Sequence, residues 1–338
     1  MKYRRVVLQR TGGPGVMQLA EEELPVPVTG QARVKILAAD VSFSDVNLRR
    51  GRYPGAPRPP FTPGYAMVGV VDQLGPGAST PPVGQAVAAL TFFGSYSQYI
   101  ILPVHELVPV PQGVDPAEAV VLVLNYVAAY QMLHRVAHVK PKQRILVHGA
   151  AGGVGTAFLE LGRLAELEVF GTASRPKHSL VAGLGATPID YRTEDFVRRI
   201  GDLTHGVGVD AAFDPMGSAH LRRSVKAVHQ GGVVVAYGFY EAANRGRNVV
   251  LDVLSQYVVL RLSSLPPAGK RVAFYDIRRQ KKSNPDWFRQ DLTALLALLA
   301  AGAIRPVIAA RLPLEAAVRA HQRVEHGGVQ GKLVLIPN

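Results

Sequence analysis

Residues Gln31-Ala32-Arg33-Val34-Lys35-Ile36 alternate polar and apolar side chains, the period of a strand with one buried face. Residues 66–74, 85–90 and 96–102 are further short apolar runs bounded by glycine and proline, and they predict strands as well. Pro54, Pro57, Pro59, Pro60 and Pro63 make the intervening segment a stiff, irregular loop. Residues 1–115 therefore read as β-rich. Near residue 120 the pattern changes, and from Arg144 onward short apolar runs alternate with helical segments. Runs at 145–148, 168–171, 187–190, 209–213 and 233–237 predict strands; 154–165, 177–184, 194–201 and 219–228 predict helices. This alternation predicts a doubly wound parallel sheet with helices on both faces. It stops after residue 263. A proline-marked basic loop then leads to a helix at 285–301 and to strands at 306–310 and 332–336. This tail is too short for a third domain and is expected to pack on the N-terminal β domain.

Length and composition narrow the classes. A chain of 338 residues, 48% of them hydrophobic, fits two ordinary cores and excludes wholesale disorder. The absence of cysteine excludes disulfides, cysteine nucleophiles, iron–sulfur clusters and thiolate zinc sites. The apolar stretch 117–130 carries Glu118 and Asn125, and 292–304 is short, so neither reaches the ~20 apolar residues of a membrane span. The N-terminus runs straight into strand-like sequence without an apolar leader, and a cytoplasmic protein is expected. The net charge is +13, with its densest patch from Lys270 to Lys282, where Asp276 is the only acid. No nucleic-acid module accompanies that patch, which reads as a solvated basic surface.

The strongest local signal is Ile145-Leu146-Val147-His148-Gly149-Ala150-Ala151-Gly152-Gly153-Val154-Gly155, an apolar strand meeting a glycine-rich turn that opens into a helix. Small residues let the backbone approach a pyrophosphate, whose charge sits on the free N–H groups and positive dipole end of the helix. Ala150 replaces the first glycine of the G-x-G-x-x-G pattern, and Ala150, Gly152, Gly153, Val154 and Gly155 are the expected contacts. NAD sites place an acid about 20 residues further on. Here the segment is Gly171-Thr172-Ala173-Ser174-Arg175-Pro176-Lys177-His178, without one. Ser174, Arg175 and Lys177 suit a 2′-phosphate, which predicts NADPH over NADH.

In these stretches the sequence resembles the medium-chain dehydrogenase/reductase superfamily, in its zinc-free quinone oxidoreductase (zeta-crystallin-like) branch. The matching segments also include Asp45 to Pro54, Pro63-Gly64-Tyr65 and Gly331 to Leu335, so the resemblance covers essentially the whole chain. It implies a Rossmann domain at 122–263 inserted into a β-rich, chaperonin-10-like (GroES-like) catalytic domain formed by 1–121 and 264–338. It further implies a homodimer through Rossmann edge strands, here residues 258–264. Zinc-dependent relatives carry Gly-His-Glu where this chain has Gly64-Tyr65-Ala66, and their first cysteine ligand falls on Ser42, so no metal is expected. His134 and His138, four apart on an expected helix, have no third ligand and read as helix surface.

The resemblance also assigns roles. Tyr53 is the expected proton donor or acceptor-orienting residue, and Ser42, followed by Asp45, lies near the nicotinamide. Tyr130 belongs to the helix that touches the nicotinamide, on which Ala128 replaces a common threonine. Tyr191 is placed beside the adenine, Gly238 and Phe239 after the fifth strand, and Lys332 near the cofactor. The implied activity is hydride transfer from NADPH to quinones or α,β-unsaturated carbonyls. One alternative is an enoyl reductase acting on thioester or polyketide intermediates. Another is an NADPH-binding structural or nucleic-acid-associated protein with little turnover.

Overall fold

In the computed structural model of the chain, which describes residues 1–53, 55–238, 240, 258 and 269–337, the first strands are β1 (Lys2–Leu8) and β2 (Met17–Glu23). They pair antiparallel, with Lys2 opposite Glu23. Next come β3 (Gln31–Val41), helix α1 (Phe43–Arg49), β4 (Ala66–Leu74), β5 (Ala86–Leu90), β6 (Tyr99–Pro103) and β7 (Val108–Pro109). Helix α2 (Pro116–Val121), a π-helical stretch Leu122–Tyr126, α3 (Val127–Tyr130) and a second π-helical stretch Gln131–Ala137 follow. Together these make one helix, Pro116–Ala137, long and apolar enough by length and composition to cross a membrane. It outruns the stretch ending at residue 130 seen in the sequence pattern. Its most apolar window is 78% buried inside the protein, as a core helix would be.

The alternating region gives β8 (Arg144–His148), α4 (Gly153–Leu164), β9 (Glu168–Ala173), α5 (His178–Gly183), β10 (Thr187–Asp190) and α6 (Phe196–Leu203). It continues through β11 (Val209–Asp214), α7 (Ser218–Ala227), β12 (Val228–Ala236) and β13 (Arg271–Phe274). Among the described residues, these strands form a parallel sheet in the order β10-β9-β8-β11-β12-β13. This is the doubly wound dinucleotide-binding order, which reverses between β8 and β11, where such sheets bind ligands beyond their carboxyl ends. Leu146, Phe170, Ile189, Phe196, Ile200, Ala212, Leu221 and Val234 are buried in its core.

Helices α8 (Ile277–Ser283) and α9 (Pro285–Ala300), strand β14 (Ile308–Pro313), helix α10 (Ala317–His326) and strand β15 (Lys332–Ile336) complete the described chain. The second sheet has the order β14-β15-β3-β4-β5-β7, with β6 on β3. Strand β15 pairs antiparallel with β3, Leu333 opposite Val41, which ties the C-terminal tail to the N-terminal β unit as expected. Those pairings also explain why β3 outruns its polar–apolar alternation. From Ala38 to Val41 every residue is buried, because β4 and β15 both pair with this end.

The chain divides into two units, Met1–Val127 with Arg289–Asn338, and Ala128–Phe288. The boundaries expected at 121/122 and 263/264 thus move to 127/128 and 288/289. The second shift has a clear cause. The segment read as a basic loop contains β13, the sixth strand of the parallel sheet, and α8. Val272 is buried there, and Lys270 Nζ donates to the Val225 carbonyl at 2.8 Å. Phe239 and residues 259–264 of the expected dimer edge lie outside the described residues.

Candidate cofactor and acceptor sites

The glycine turn begins where β8 ends. Gly149 has φ +66°, the left-handed region that favours glycine, and its N–H donates to Thr172 Oγ1 at 3.2 Å. Ala150 N donates to the Thr172 carbonyl at 3.0 Å, and Gly152 N to the Gly149 carbonyl at 2.9 Å, closing the turn. A Cβ on Gly155 would lie 2.6 Å from the Ala150 carbonyl oxygen, and one on Gly171 would lie 2.7 Å from Ala150 Cβ. The cradle therefore admits only glycine at both places. Gly152 caps α4 without a side-chain hydrogen bond, and no acid stands in the first helical turn. These residues fit a dinucleotide pyrophosphate.

Beneath the turn lies a hydrogen-bond chain that the sequence did not disclose. Asp214, ending β11, accepts from Ser224 Oγ at 2.6 Å, from His220 Nδ1 at 2.8 Å and from Met216 N at 2.7 Å. Ser224 donates its hydroxyl hydrogen bond to a carboxylate, so its oxygen accepts from His148 Nε2 at 3.1 Å. His148 Nδ1 is then an acceptor, for Thr172 Oγ1 at 3.1 Å, and Thr172 in turn accepts from Gly149 N. Every donor along this path is fixed by its neighbour, and His148 is neutral with its proton on Nε2. Burial pushes the imidazole down to about 3. Against its own burial, the bonds from His220 and Ser224 hold Asp214 below the usual carboxylate range. The ligand atoms of His148, Asp214 and His220 lie within 4.8 Å of one another. Hydrogen bonds already engage each, so we read a brace joining β8 to β11 rather than a metal centre.

At the end of β9, Ser174 is buried and begins the turn carrying Arg175 and Lys177. Burial, then the charge of Arg192, lowers the Lys177 ammonium. Arg192, which sequence reasoning missed, thus joins the same group of cations, and its guanidinium lies 5.9 Å from the Tyr191 ring centroid. Tyr191 is 53% exposed, free to offer a ring face. Gly238 packs against Pro215, whose carbonyl carbon would lie 3.1 Å from an added Cβ. The Tyr130 and His134 rings lie 4.5 Å apart, tilted by 55°, and Ala128 is buried. His138 is not on a helical face with His134: it sits at the helix end with φ 56°, in the left-handed region.

In the β unit, Ser42 and Asp45 form a capping box at the start of α1. The fully buried Asp45 carboxyl accepts from Ser42 N at 2.9 Å, Ser42 Oγ at 2.6 Å and Gly64 N at 3.0 Å. Burial pushes it up to about 7 despite the Ser42 bonds, with nearby Asp40 adding to the rise. Tyr53 and Tyr65 share a hydrogen bond of 2.6 Å between their hydroxyls. Lys332 Nζ lies 2.6 Å from Asp40 Oδ1 and donates to the Val41 carbonyl at 2.7 Å, both side chains being almost fully buried. Its ammonium serves as the counter-ion of a buried carboxylate. At Ser42 and Tyr65, the positions that the resemblance matches to zinc ligands, this chain offers two hydroxyls, Ser42 committed to Asp45 and Tyr65 to Tyr53. That donor set does not fit a zinc ion.

Residues 28–112 match the family described as alcohol dehydrogenase GroES-like domain, and residues 184–335 match zinc-binding dehydrogenase. The synaptic vesicle membrane protein VAT-1 homolog of Homo sapiens is 31% identical, over 99% of this chain and 86% of its own length. A quinone oxidoreductase of Pongo abelii is 29% identical over 98% of this chain and 97% of its own. The crystal structure of Escherichia coli quinone oxidoreductase complexed with NADPH superposes with a TM-score of 0.87 at 26% identity, covering 99% of this chain and 100% of the other.

Proposed function

This chain belongs to the zinc-free quinone oxidoreductase branch of the medium-chain dehydrogenase/reductase superfamily, and from that premise we propose that it uses NADPH to reduce quinones or other α,β-unsaturated carbonyl compounds. The observation that carries this reading is the donor set of the β unit, hydroxyls where related enzymes hold zinc ligands. Without a Lewis acid to stabilise an alkoxide, alcohol oxidation lacks its main support. An acceptor that is already electron-poor needs only positioning and a proton.

When bound, NADPH supplies the hydride. The free backbone N–H groups of Gly153, Val154 and Gly155, at the start of α4, would hold the pyrophosphate, and Ser174, Arg175, Lys177 and Arg192 would hold the 2′-phosphate. The His148–Ser224–Asp214 brace keeps the turn in its binding conformation, and Tyr191 offers its ring to the adenine. Tyr53 orients the acceptor and gives its phenolic proton to the α-carbon of an enone, while the β-carbon receives the hydride. A quinone takes the same two electrons, and water can protonate its oxygen.

The test is NADPH oxidation measured with quinones, enones and enoyl thioesters, before and after chelator treatment. Turnover with quinones or enones, unchanged by chelator, is expected. Tyr53→Phe should lower kcat for enones by roughly 10- to 10³-fold, with less effect on quinones. Turnover with enoyl thioesters alone would redirect the assignment to an enoyl reductase, and no acceptor-dependent oxidation would overturn it.

A further inference from the structure

Tyr65 is 1% exposed, yet its hydroxyl meets the hydroxyl of the half-buried Tyr53 at 2.6 Å, the two rings standing edge to face at 6.0 Å and 70°. Its position is fixed from several sides. Gly64, at φ +111°, donates to Asp45 and accepts from Thr91 Oγ1 at 2.9 Å. The Tyr65 carbonyl accepts from Thr91 N at 3.0 Å and from Phe92 N at 3.1 Å. Phe92 holds a left-handed φ of 63°, which a bulky side chain adopts only under constraint, and packs edge-on against the Tyr65 ring at 5.2 Å. A Cβ on Gly64 would lie 2.6 Å from Tyr96 N, so this tight approach requires glycine. The loop is held so that one buried phenol presents its hydroxyl to another.

We propose that Tyr65 is a positioning residue for proton delivery by Tyr53, holding the Tyr53 oxygen in place and donating a hydrogen bond to it as that oxygen loses its proton. The proposal rests on the role given to Tyr53 above. In the resting pair either hydroxyl can donate. Once the Tyr53 O–H bond breaks and its proton passes to the acceptor carbon, the electron pair stays on the Tyr53 oxygen, and only Tyr65 can donate between the two. The hydride from NADPH and this proton complete the two-electron reduction, and water returns a proton to Tyr53. Hydrogen bonds to a charged oxygen are stronger than those to a neutral one, so the Tyr65 hydroxyl contributes most where charge develops.

The experiment is a double-mutant cycle of Tyr53→Phe and Tyr65→Phe with an enone acceptor, each phenylalanine keeping its ring. Tyr65→Phe alone is expected to lower kcat roughly 3- to 30-fold with KM and NADPH affinity unchanged. The loss should vanish in the Tyr53→Phe background, because the oxygen it serves is gone. Without cofactor, the ultraviolet tyrosinate signal of Tyr53, taken as the difference from each protein's Tyr53→Phe counterpart, should titrate at higher pH once Tyr65 is phenylalanine. If Tyr53→Phe slows turnover while Tyr65→Phe is wild type, or if the Tyr65 loss is equal in both backgrounds, the positioning role is overturned and the role of Tyr53 stands. A Tyr53→Phe enzyme with wild-type turnover overturns both. Should Tyr65→Phe fold poorly, a proton inventory on the wild-type enzyme decides: a curve bowed by two exchangeable protons supports the pair, and a straight line refutes it.

Discussion

The brace beneath the glycine turn has a measurable acid sensitivity. His148 is 1% exposed, and burial takes its imidazole from 6.5 in the unfolded chain to about 3 in the folded protein. Between those values the unfolded state binds a proton at this residue and the folded state does not, so stability rises with pH across the window and is lost as pH falls. From pH 7 to pH 5 this one group removes about 2 kcal/mol, at 1.36 kcal/mol per pH unit of full protonation difference. His148→Asn cannot titrate. It lowers stability at pH 7 by about 1–3 kcal/mol, because Ser224 and Thr172 lose a buried partner. Its stability should nevertheless fall less steeply with acid, and the two proteins should draw together by about 2 kcal/mol at pH 5. Trp287, the only tryptophan, lies in the same unit as His148, so its fluorescence follows the relevant unfolding transition in urea. Parallel pH profiles for the two proteins would refute the assignment of a neutral, proton-refusing His148.

Replacing Arg175 and Arg192 together with alanine should weaken NADPH binding at least tenfold, about 1.4 kcal/mol, while NADH affinity stays constant. Calorimetric titration showing equal losses for both cofactors would remove these cations from the 2′-phosphate. Lys332→Met strands the buried Asp40 carboxylate and should destabilise the β unit by about 3–5 kcal/mol, most of it recovered when Asp40→Asn is added. Denaturation followed by circular dichroism would contradict the ion pair if the single variant were as stable as the wild type.

What the sequence disclosed was local. The glycine turn lies within one strand–turn–helix unit, so its spacing carries both its geometry and its chemistry, and β10 and β15 match their predicted bounds. Contacts across the fold were hidden. Asp214 and Ser224 lie 66 and 76 residues beyond His148 in the chain and meet it only because β8 and β11 are neighbours at the sheet's point of reversal. A clue was present in the histidine directly before the turn, an expensive residue to bury without partners. Tyr53 is singled out by the resemblance of its segment, whereas Tyr65, its hydrogen-bond partner, enters only as the replacement for a zinc ligand. The hydroxyl pair depends on two loop conformations that periodicity does not describe. Arg192 escaped because it follows the third strand rather than the second. The basic segment 270–282 misled because its charges mask Val272 and Ile277, the buried positions that make it part of the parallel-sheet unit.

In the proposed reaction a hydride passes from NADPH to an electron-poor carbon while one of the chain's own hydroxyls supplies the proton. The most direct measurement follows deuterium from NADPH labelled at C4 into the product of an enone, by mass spectrometry and nuclear magnetic resonance. Deuterium is expected at the β-carbon, a solvent-derived hydrogen at the α-carbon, and a slower reaction with the same labelling pattern in Tyr53→Phe. Enone product without deuterium at the β-carbon, or no enone reduced at all, would contradict it.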